Sequence, residues 1–179
     1  LQPRDLWEET GRWEEIKDIM YRVGDDAGLA PTHEEQITDI VRKKISSYRD
    51  LPLSLYQIQV KFRNEPRAKS GLLRGREFMM KDMYSFHTNE EDFEKYYAEA
   101  TEAYKKVFSR LGLEVKVVAA DGGMFSKHSH EFQVICPTGE DTIFLCPNCD
   151  FAENKEISKV KDGDKCPNCD GNIKEETSI

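Results

Sequence analysis

Apolar side chains recur along this chain with two periods. From Gln36 to Tyr48 the positions Ile37, Ile40, Val41, Ile45 and Tyr48 repeat at helical spacing, which predicts a surface helix closed by Pro52. Leu55 to Phe62 alternates instead, with Ile58, Val60 and Phe62 on one face. Arg76 to His87 alternates again, with Phe78, Met80, Asp82, Tyr84 and Phe86 on one face. These are two predicted strands, and the Arg-, Lys-, Pro- and Gly-rich stretch from Arg63 to Gly75 makes them a long-loop antiparallel hairpin. Thr88-Asn89-Glu90-Glu91 reads as a capping box ahead of Phe93, Tyr96, Tyr97, Ala100, Tyr104, Val107, Phe108 and Leu111, and Gly112 takes the C′ position of that helix. The opening segment, Arg4 to Arg22, reads as helical turns broken at Gly11. Further strands are predicted over Leu113 to Ala120, Glu131 to Cys136 and Asp141 to Cys146, separated by a Gly/Ser/His loop over 121–129 and a turn at Pro137 to Glu140.

The longest uninterrupted apolar runs, Val117 to Ala120 and Ile143 to Cys146, are far shorter than the roughly 20 residues a membrane helix needs. Charged residues make up 34% of the 179 and aromatics 10%. That combination excludes a disordered chain and describes a soluble globular protein, for which the cytoplasm is the expected location. The chain begins Leu1-Gln2-Pro3, with neither an initiator Met nor a leader, and reads as an excised fragment. A net charge of -8 excludes a uniformly basic nucleic-acid binder.

Four of the five cysteines form a repeated Cys-Pro-Asn-Cys-Asp, as Cys146/Cys149 and Cys166/Cys169, with sixteen residues between the pairs. A two-residue gap lets one tight turn aim two sulfurs at one ion, and four soft thiolates suit tetrahedral zinc with no position left for a catalytic water. The expected role is a structural Zn2+ site. Disulfides and buried thiols are the competing readings; against the former stands the lack of any secretory feature. Cys136 is left over as a small, solvent-shy thiol at the end of an apolar strand.

The charge is unevenly placed. Residues 60–81 carry seven Lys and Arg against two Glu, so a cationic hairpin loop sits on an otherwise acidic protein. Such a loop steers polyanions, and its arginines can hold phosphate oxygens bidentately. Asp82, between Met80 and Tyr84, would project among apolar and aromatic side chains, so a cation is expected to meet it. Thr32 and Glu34 would face one way if the segment after Pro31 is extended, and could receive one polar ligand. Thr32-x-x-Glu35 equally fits a capping box for the helix that follows, and the two readings are compatible.

Phe62-Arg63-Asn64-Glu65, then Arg74-x-x-x-Phe78, resembles motif 2 of the class II aminoacyl-tRNA synthetases. Pro31-Thr32-His33-Glu34-Glu35, Gly71-Leu72-Leu73-Arg74-Gly75-Arg76-Glu77-Phe78, Lys81-Asp82-x-Tyr84-Ser85-Phe86-His87, Ser129-His130-Glu131-Phe132 and Gly139-Glu140-Asp141 are similar, in that order, to the bacterial-type prolyl-tRNA synthetases. The resemblance spans nearly the whole chain. It implies ATP- and Mg2+-dependent activation of proline to prolyl-adenylate and transfer to tRNA(Pro), by a homodimer in the full-length enzyme. By the same resemblance Arg63 is the catalytic arginine bridging the substrate carboxylate and the α-phosphate. Glu65 reads the adenine amino group, Phe78 stacks on adenine and Arg74 holds ATP phosphates. Thr32 and Glu34 match the proline site, with Met80, Asp82, Tyr84, His130 and Phe132 as its walls.

The fold expected is α+β, an antiparallel sheet flanked by helices. Residues 1–140 would form a partial class II catalytic core and 141–179 a four-cysteine, zinc-ribbon-like insertion. Motif 3, whose arginine holds the γ-phosphate in that family, has no counterpart in these 179 residues, and the motif 1 strand would lie at or before Leu1, so the fragment is expected to be inactive alone. Where bacterial members carry a large editing domain, only the cysteine ribbon follows Ala152-Glu153-Asn154-Lys155-Glu156. Two other readings compete: a non-catalytic synthetase-like module whose ribbon contacts RNA or a protein, and a seryl- or threonyl-type synthetase.

Overall fold

The computed structural model describes residues 1–179 apart from Ser70, Leu73 and 123–125, and describes the backbone alone for 126–128. The chain divides into two compact units, Leu1–Lys95 and Tyr96–Ile179. The division falls within the long helix, whereas the sequence suggests a boundary at 140/141.

In the first unit a short strand β1 (Gln2–Pro3) leads into two helical turns, α1 (Arg4–Glu9) and α2 (Arg12–Glu15). Gly11 separates them at a φ of 76°, a left-handed conformation that side chains with a Cβ resist. Trp7, Trp13, Ile16 and Met20 form the core beneath these turns. Two further short strands, β2 (Arg22–Val23) and β3 (Ala27–Gly28), complete a three-stranded sheet in the order β1-β3-β2.

Helix α3 (Glu34–Lys44) ends earlier than its apolar spacing predicts. Ile45 is extended, and Tyr48 lies instead in a 3₁₀ turn, Tyr48–Asp50, capped by Ser47. Three basic residues, Arg42, Lys43 and Lys44, sit in the last turn of α3, where the carbonyl ends favour positive charge. The Thr32–Glu35 capping box is not formed: His33 is the N-cap, and Glu35 points instead to Arg12, 2.5 Å away, and to the Thr10 hydroxyl.

Strands β4 (Leu53–Phe62) and β5 (Glu77–Phe86) pair antiparallel over all ten positions, from Leu53 opposite Phe86 to Phe62 opposite Glu77. The register decides which side chains share a face. Phe78, Met80, Asp82, Tyr84 and Phe86 stand beside Lys61, Gln59, Gln57, Leu55 and Leu53. The predicted apolar face of β4 is the other one, with Ile58 and Tyr56 well exposed beside Met79 and Met83. Of the connection between the strands, Lys69 and Arg74 pair through reciprocal backbone hydrogen bonds; Ser70 and Leu73, the latter part of the Gly-Leu-Leu-Arg motif, lie outside the described residues.

Helix α4 (Glu90–Arg110) starts one position later than the sequence suggests, with Asn89 rather than Thr88 accepting a backbone N–H, that of Asp92. It ends in a Schellman motif at Gly112, φ 74°, with Leu113 N–H on the Phe108 carbonyl and Gly112 N–H on that of Ser109.

The second unit is one five-stranded sheet in the order β10-β8-β9-β6-β7, made of β6 (Lys116–Gly122), β7 (Ser126–Gln133), β8 (Asp141–Leu145), β9 (Ala152–Asn154) and β10 (Lys174–Ser178). It is mixed rather than purely antiparallel, since β6 and β9 run parallel. The loop expected over 121–129 is largely strand: β6 continues to Gly122 and β7 begins at Ser126, with 123–125 outside the described residues. β7 correspondingly stops at Gln133, although Val134 and Cys136 still bond to Ile179 and Thr177. Val118, Ile143, Leu145 and Ala152 pack on one side of β8; Phe144 joins Cys146, Cys166 and Ile173 on the other. A strand buried on both faces must be apolar throughout, which accounts for the run Ile143-Phe144-Leu145-Cys146.

Both tryptophans lie in the first unit, so their fluorescence reports its unfolding alone. Glu35→Ala, which removes the 2.5 Å ion-pair partner of the Arg12 guanidinium, is expected to destabilise this unit by about 3 kcal/mol in urea titrations followed at tryptophan. A change below about 1 kcal/mol would show that the pair is not what holds α3 to the helical turns.

Candidate active site and metal centre

The first unit brings two predicted groups of residues together through its backbone. Phe62 N–H donates to the Ala30 carbonyl and Asn64 N–H to that of Ile19, so the end of β4 is tied to the segments on either side of β2 and β3. Arg63 is thereby held beside the residues that precede α3, and its Nε donates to the Pro31 carbonyl at 3.1 Å. The same guanidinium lies over the Phe78 ring, 5.5 Å from its centre. Thr32 is buried, its carbonyl bound by the Gln2 side-chain amide, which in turn accepts from the Trp7 indole. Its hydroxyl donates to Glu34 at 2.5 Å, so Thr32 and Glu34 do face one way.

Asp82 meets its expected cation, and it is Lys61. The Lys61 ammonium, 0% exposed, lies 2.8 Å from Asp82 Oδ1 and 2.5 Å from His33 Nδ1. Asp82 Oδ2 accepts from the Gln57 amide at 2.8 Å and the Tyr84 hydroxyl at 2.5 Å. Burial alone would raise the Asp82 carboxyl, but the hydrogen bonds from Lys61, Tyr84 and Gln57 outweigh it and hold the group below its usual range. Burial, the bond to Asp82 and the charges of Glu34 and Asp82 push the Tyr84 phenol up, with the Thr32 hydroxyl acting the other way. Thr32, Glu34, Asp82 and Tyr84 therefore share one polar neighbourhood. Sequence reasoning missed His33, Gln57 and Lys61; the only signal was the carboxylate on an otherwise apolar strand face, and the partner on β4 is visible only once the register is known.

Of the remaining candidates in this unit, Met80 is half-buried opposite Gln59 on the same ribbon face. Glu65 accepts the Arg67 backbone N–H on its carboxylate and the Arg76 side chain on its carbonyl, and Arg74 is held through its backbone pairing with Lys69. His130 and Phe132 lie on β7 in the second unit. There Tyr97 Oη and His130 Nδ1 are 2.9 Å apart, and the Phe132 ring packs on Tyr104 and Phe108 of α4.

The second unit gathers the Sγ atoms of Cys146, Cys149, Cys166 and Cys169 within 4.8 Å of one another. All four thiols are free, which removes the disulfide reading for them. The two turns are alike: Asn148 N–H points at Cys146 Sγ and Asn168 N–H at Cys166 Sγ, each at 3.4 Å. Gly171 N–H does the same at Cys169 Sγ, and a Cβ at Gly171 would stand 2.7 Å from Cys146 Sγ, so only glycine fits there. Although burial pushes Cys146 up, the Asn148 N–H and the other three thiols carry it down to about 7, while Cys169 is pushed up to about 12. Four crowded sulfurs that cannot all ionise together are a donor set suited to one soft cation.

A family profile described as "tRNA synthetase class II core domain (G, H, P, S and T)" matches residues 18–167. The chain belongs to this family. Proline--tRNA ligases of Desulfotalea psychrophila and Persephonella marina are each 52% identical to it, over 90% and 93% of the chain and 29% and 31% of their own length. The chain thus spans under a third of these relatives. Among solved structures, Giardia lamblia prolyl-tRNA synthetase in complex with prolyl-adenylate shares the fold at a TM-score of 0.68 and 22% identity, over 79% of this chain and 32% of that one. The RNA binding domain of threonyl-tRNA synthetase from Cryptosporidium parvum Iowa II is similar at 0.58 and 27% identity, over 66% and 30%. Among the described residues no helix is long and apolar enough to cross a membrane.

The lowered Asp82 carboxyl sets an expected pH response. A depressed group contributes stability that is present above its unfolded value and is lost as pH falls through its folded value. Tryptophan-monitored urea titrations from pH 6 downward should therefore show the first unit weakening in the acid range, and Asp82→Asn should flatten that limb while lowering stability at neutral pH. Parallel pH profiles for the two proteins would contradict the assignment.

Proposed function

We propose that these residues form the amino-acid and adenylate site of a proline--tRNA ligase of the cytoplasm, and that the activity belongs to a longer polypeptide of which residues 1–179 are a part, acting as a homodimer. The reading is supported above all by Arg63, held by the Pro31 carbonyl and lying over Phe78. On one side of it stand Thr32 and Glu34; beyond it the chain enters the segment carrying Arg67, Lys69, Arg74 and Arg76. A cation between an acidic pocket and a basic loop is placed to hold a carboxylate against a phosphate.

In the proposed reaction Glu34 takes the secondary ammonium of proline, with Thr32 orienting that carboxylate. A carboxylate oxygen of proline attacks the α-phosphorus of ATP, the bond from that phosphorus to the α,β-bridging oxygen breaks, and pyrophosphate leaves; Mg2+ brought with the ATP would neutralise phosphate charge. Arg63 stabilises the charge that develops on the α-phosphate while Phe78 and Glu65 receive the adenine. The terminal ribose hydroxyl of tRNA(Pro) then attacks the prolyl carbonyl and AMP leaves. The protein supplies positioning and fixed charge rather than a covalent intermediate. We assign Arg74 to the ATP phosphates, Met80, Asp82 and Tyr84 to the walls of the proline pocket, and 141–179 to a zinc-ribbon-like insertion. The four thiolates would hold a structural Zn2+, which supplies a cross-link between the two Cys-Pro-Asn-Cys turns and no chemistry.

Calorimetry with a nonhydrolysable prolyl-adenylate analogue, against its seryl and threonyl counterparts, tests the reading on residues 1–179 and on the full-length enzyme. The prolyl analogue should bind preferentially. In the full-length enzyme Arg63→Ala should lower proline-dependent pyrophosphate exchange by about 10²–10³-fold, and Glu34→Gln should weaken proline far more than ATP. Equal losses for both substrates would make Glu34 structural, and a folded protein that ignores every adenylate would leave the binding-module reading.

Anaerobically purified protein should contain one zinc per chain, and a chelator should melt the Cys166 to Ile173 segment while the tryptophan signal of the first unit stays unchanged. Metal analysis finding none would overturn the zinc assignment.

A further inference from the structure

Lys61 sits two residues before Arg63, has no exposure to water, and takes no part in the reaction as proposed above. An ammonium has only protons to give. Its contact at 2.5 Å with His33 Nδ1 therefore makes that nitrogen the acceptor, and a neutral ring then carries its proton on Nε2. A proton on Nδ1 would set two donors against each other at that distance, and in the imidazolium two like charges as well.

The groups that face His33 come from every element around it. Lys61 reaches it from β4 and Asp82 acts on it from β5, Glu34 follows it in α3, and the amino terminus of Leu1 adds a positive charge. Burial is the first cause that holds the imidazole below its usual range, and Lys61 is the second.

With Arg63 assigned to the substrate carboxylate and α-phosphate, the charges on the ammonium side of the pocket add up simply. Asp82 is answered by Lys61, with Gln57 and Tyr84 filling its other oxygen. Arg12 comes within 3.8 Å of Glu34, but it lies at 2.5 Å from Glu35, whose side chain is 1% exposed. With His33 neutral, Glu34 is the carboxylate left for a cationic ligand.

We infer that Lys61 is a positioning residue for substrate charge: it fixes His33 as the neutral Nε2–H tautomer and cancels Asp82, so that Glu34 is the one carboxylate presented to the substrate ammonium. The inference rests on the proposed proline site and adds to it the reason why a pocket with two carboxylates takes a substrate with a single positive charge.

Removing the lysine charge leaves Asp82 buried and unanswered, and His33 is the nearest group able to take up a proton in its place. Nitrogen-15 NMR of the imidazoles distinguishes the states directly, with His33→Gln assigning the signal among the four histidines. In the unaltered 179-residue chain His33 should show the Nε2–H tautomer and stay unprotonated at pH 6. In Lys61→Met its proton affinity should rise about tenfold or more, a shift of one pH unit or beyond, and Lys61→Arg should keep the unaltered tautomer. In the full-length enzyme kcat/KM for proline should gain, in Lys61→Met only, a pH limb at the new His33 value, with KM for ATP unchanged within about twofold.

Should Lys61→Met fail to fold, the tautomer in the unaltered chain decides alone. Binding of the prolyl-adenylate analogue by a protein whose His33 carries Nδ1–H would overturn this inference and leave the proline reading intact. Failure of that analogue to bind a folded chain would overturn both.

Discussion

An ammonium group removed entirely from water is costly unless a carboxylate meets it at hydrogen-bond distance and the remaining protons and lone pairs are also used. Lys61 is met by the Asp82 carboxylate at 2.8 Å and by His33 Nδ1 at 2.5 Å, and much of the first unit follows from these contacts. The pair joins β4 to β5 across four residues of the ribbon, because Lys61 stands opposite Phe78 and Asp82 opposite Gln57. It also joins the ribbon to the start of α3, because His33 is the N-cap of that helix. A two-stranded ribbon alone is marginal in water. Here a polar network, rather than an apolar one, secures its inner face to the rest of the unit.

The second unit solves the same problem with different material. Its small core is split by β8, whose alternate side chains serve the sheet on one side and the cysteine cluster on the other. Phe144, Phe151, Val160 and Ile173 give the thiols an apolar surround, and the backbone N–H groups of Asn148, Asn168 and Gly171 face the sulfurs. Such a surround disfavours free thiolates, while the N–H groups favour them. A bound cation resolves that opposition, so folding of this segment and metal affinity should be one free energy rather than two.

Local pattern carried far in the sequence where a single period or a single turn was at stake. The ribbon strands, the long helix with its Gly112 terminator and the spacing of the cysteine pairs are all legible in this way. Legibility failed where distant segments decide. Periodicity assigns Ile58, Val60 and Phe62 to one face correctly, yet it cannot say that the other face of β4 holds the buried Lys61 and the half-buried Leu53, Leu55 and Gln57. Nor could Thr32-x-x-Glu35 reveal that Arg12, more than twenty residues earlier, would take Glu35 away from the cap. The extent of β7 was misplaced for a related reason. Residues 134–136 look like strand because they do pair, but with the far end of the chain.

Placement of Arg63 shows how the site depends on backbone ties rather than on its own side-chain contacts. A side chain with this much rotamer freedom is positioned cheaply only when its backbone is already fixed. Phe62 N–H to Ala30, Asn64 N–H to Ile19 and Arg63 N–H to Arg76 fix it from three segments. The residues on either side of Arg63 therefore cannot shift without breaking the short β2–β3 sheet region or the start of the basic loop. Substitutions at Ala30 or Ile19 that preserve the backbone should leave the arginine in place, whereas a proline at position 62, 63 or 64 would remove one donor and release it. The arginine's reach toward Pro31 and Phe78 is a consequence of that frame, and the pocket's charge, set by Lys61 two residues earlier, is imposed through the same stretch of backbone.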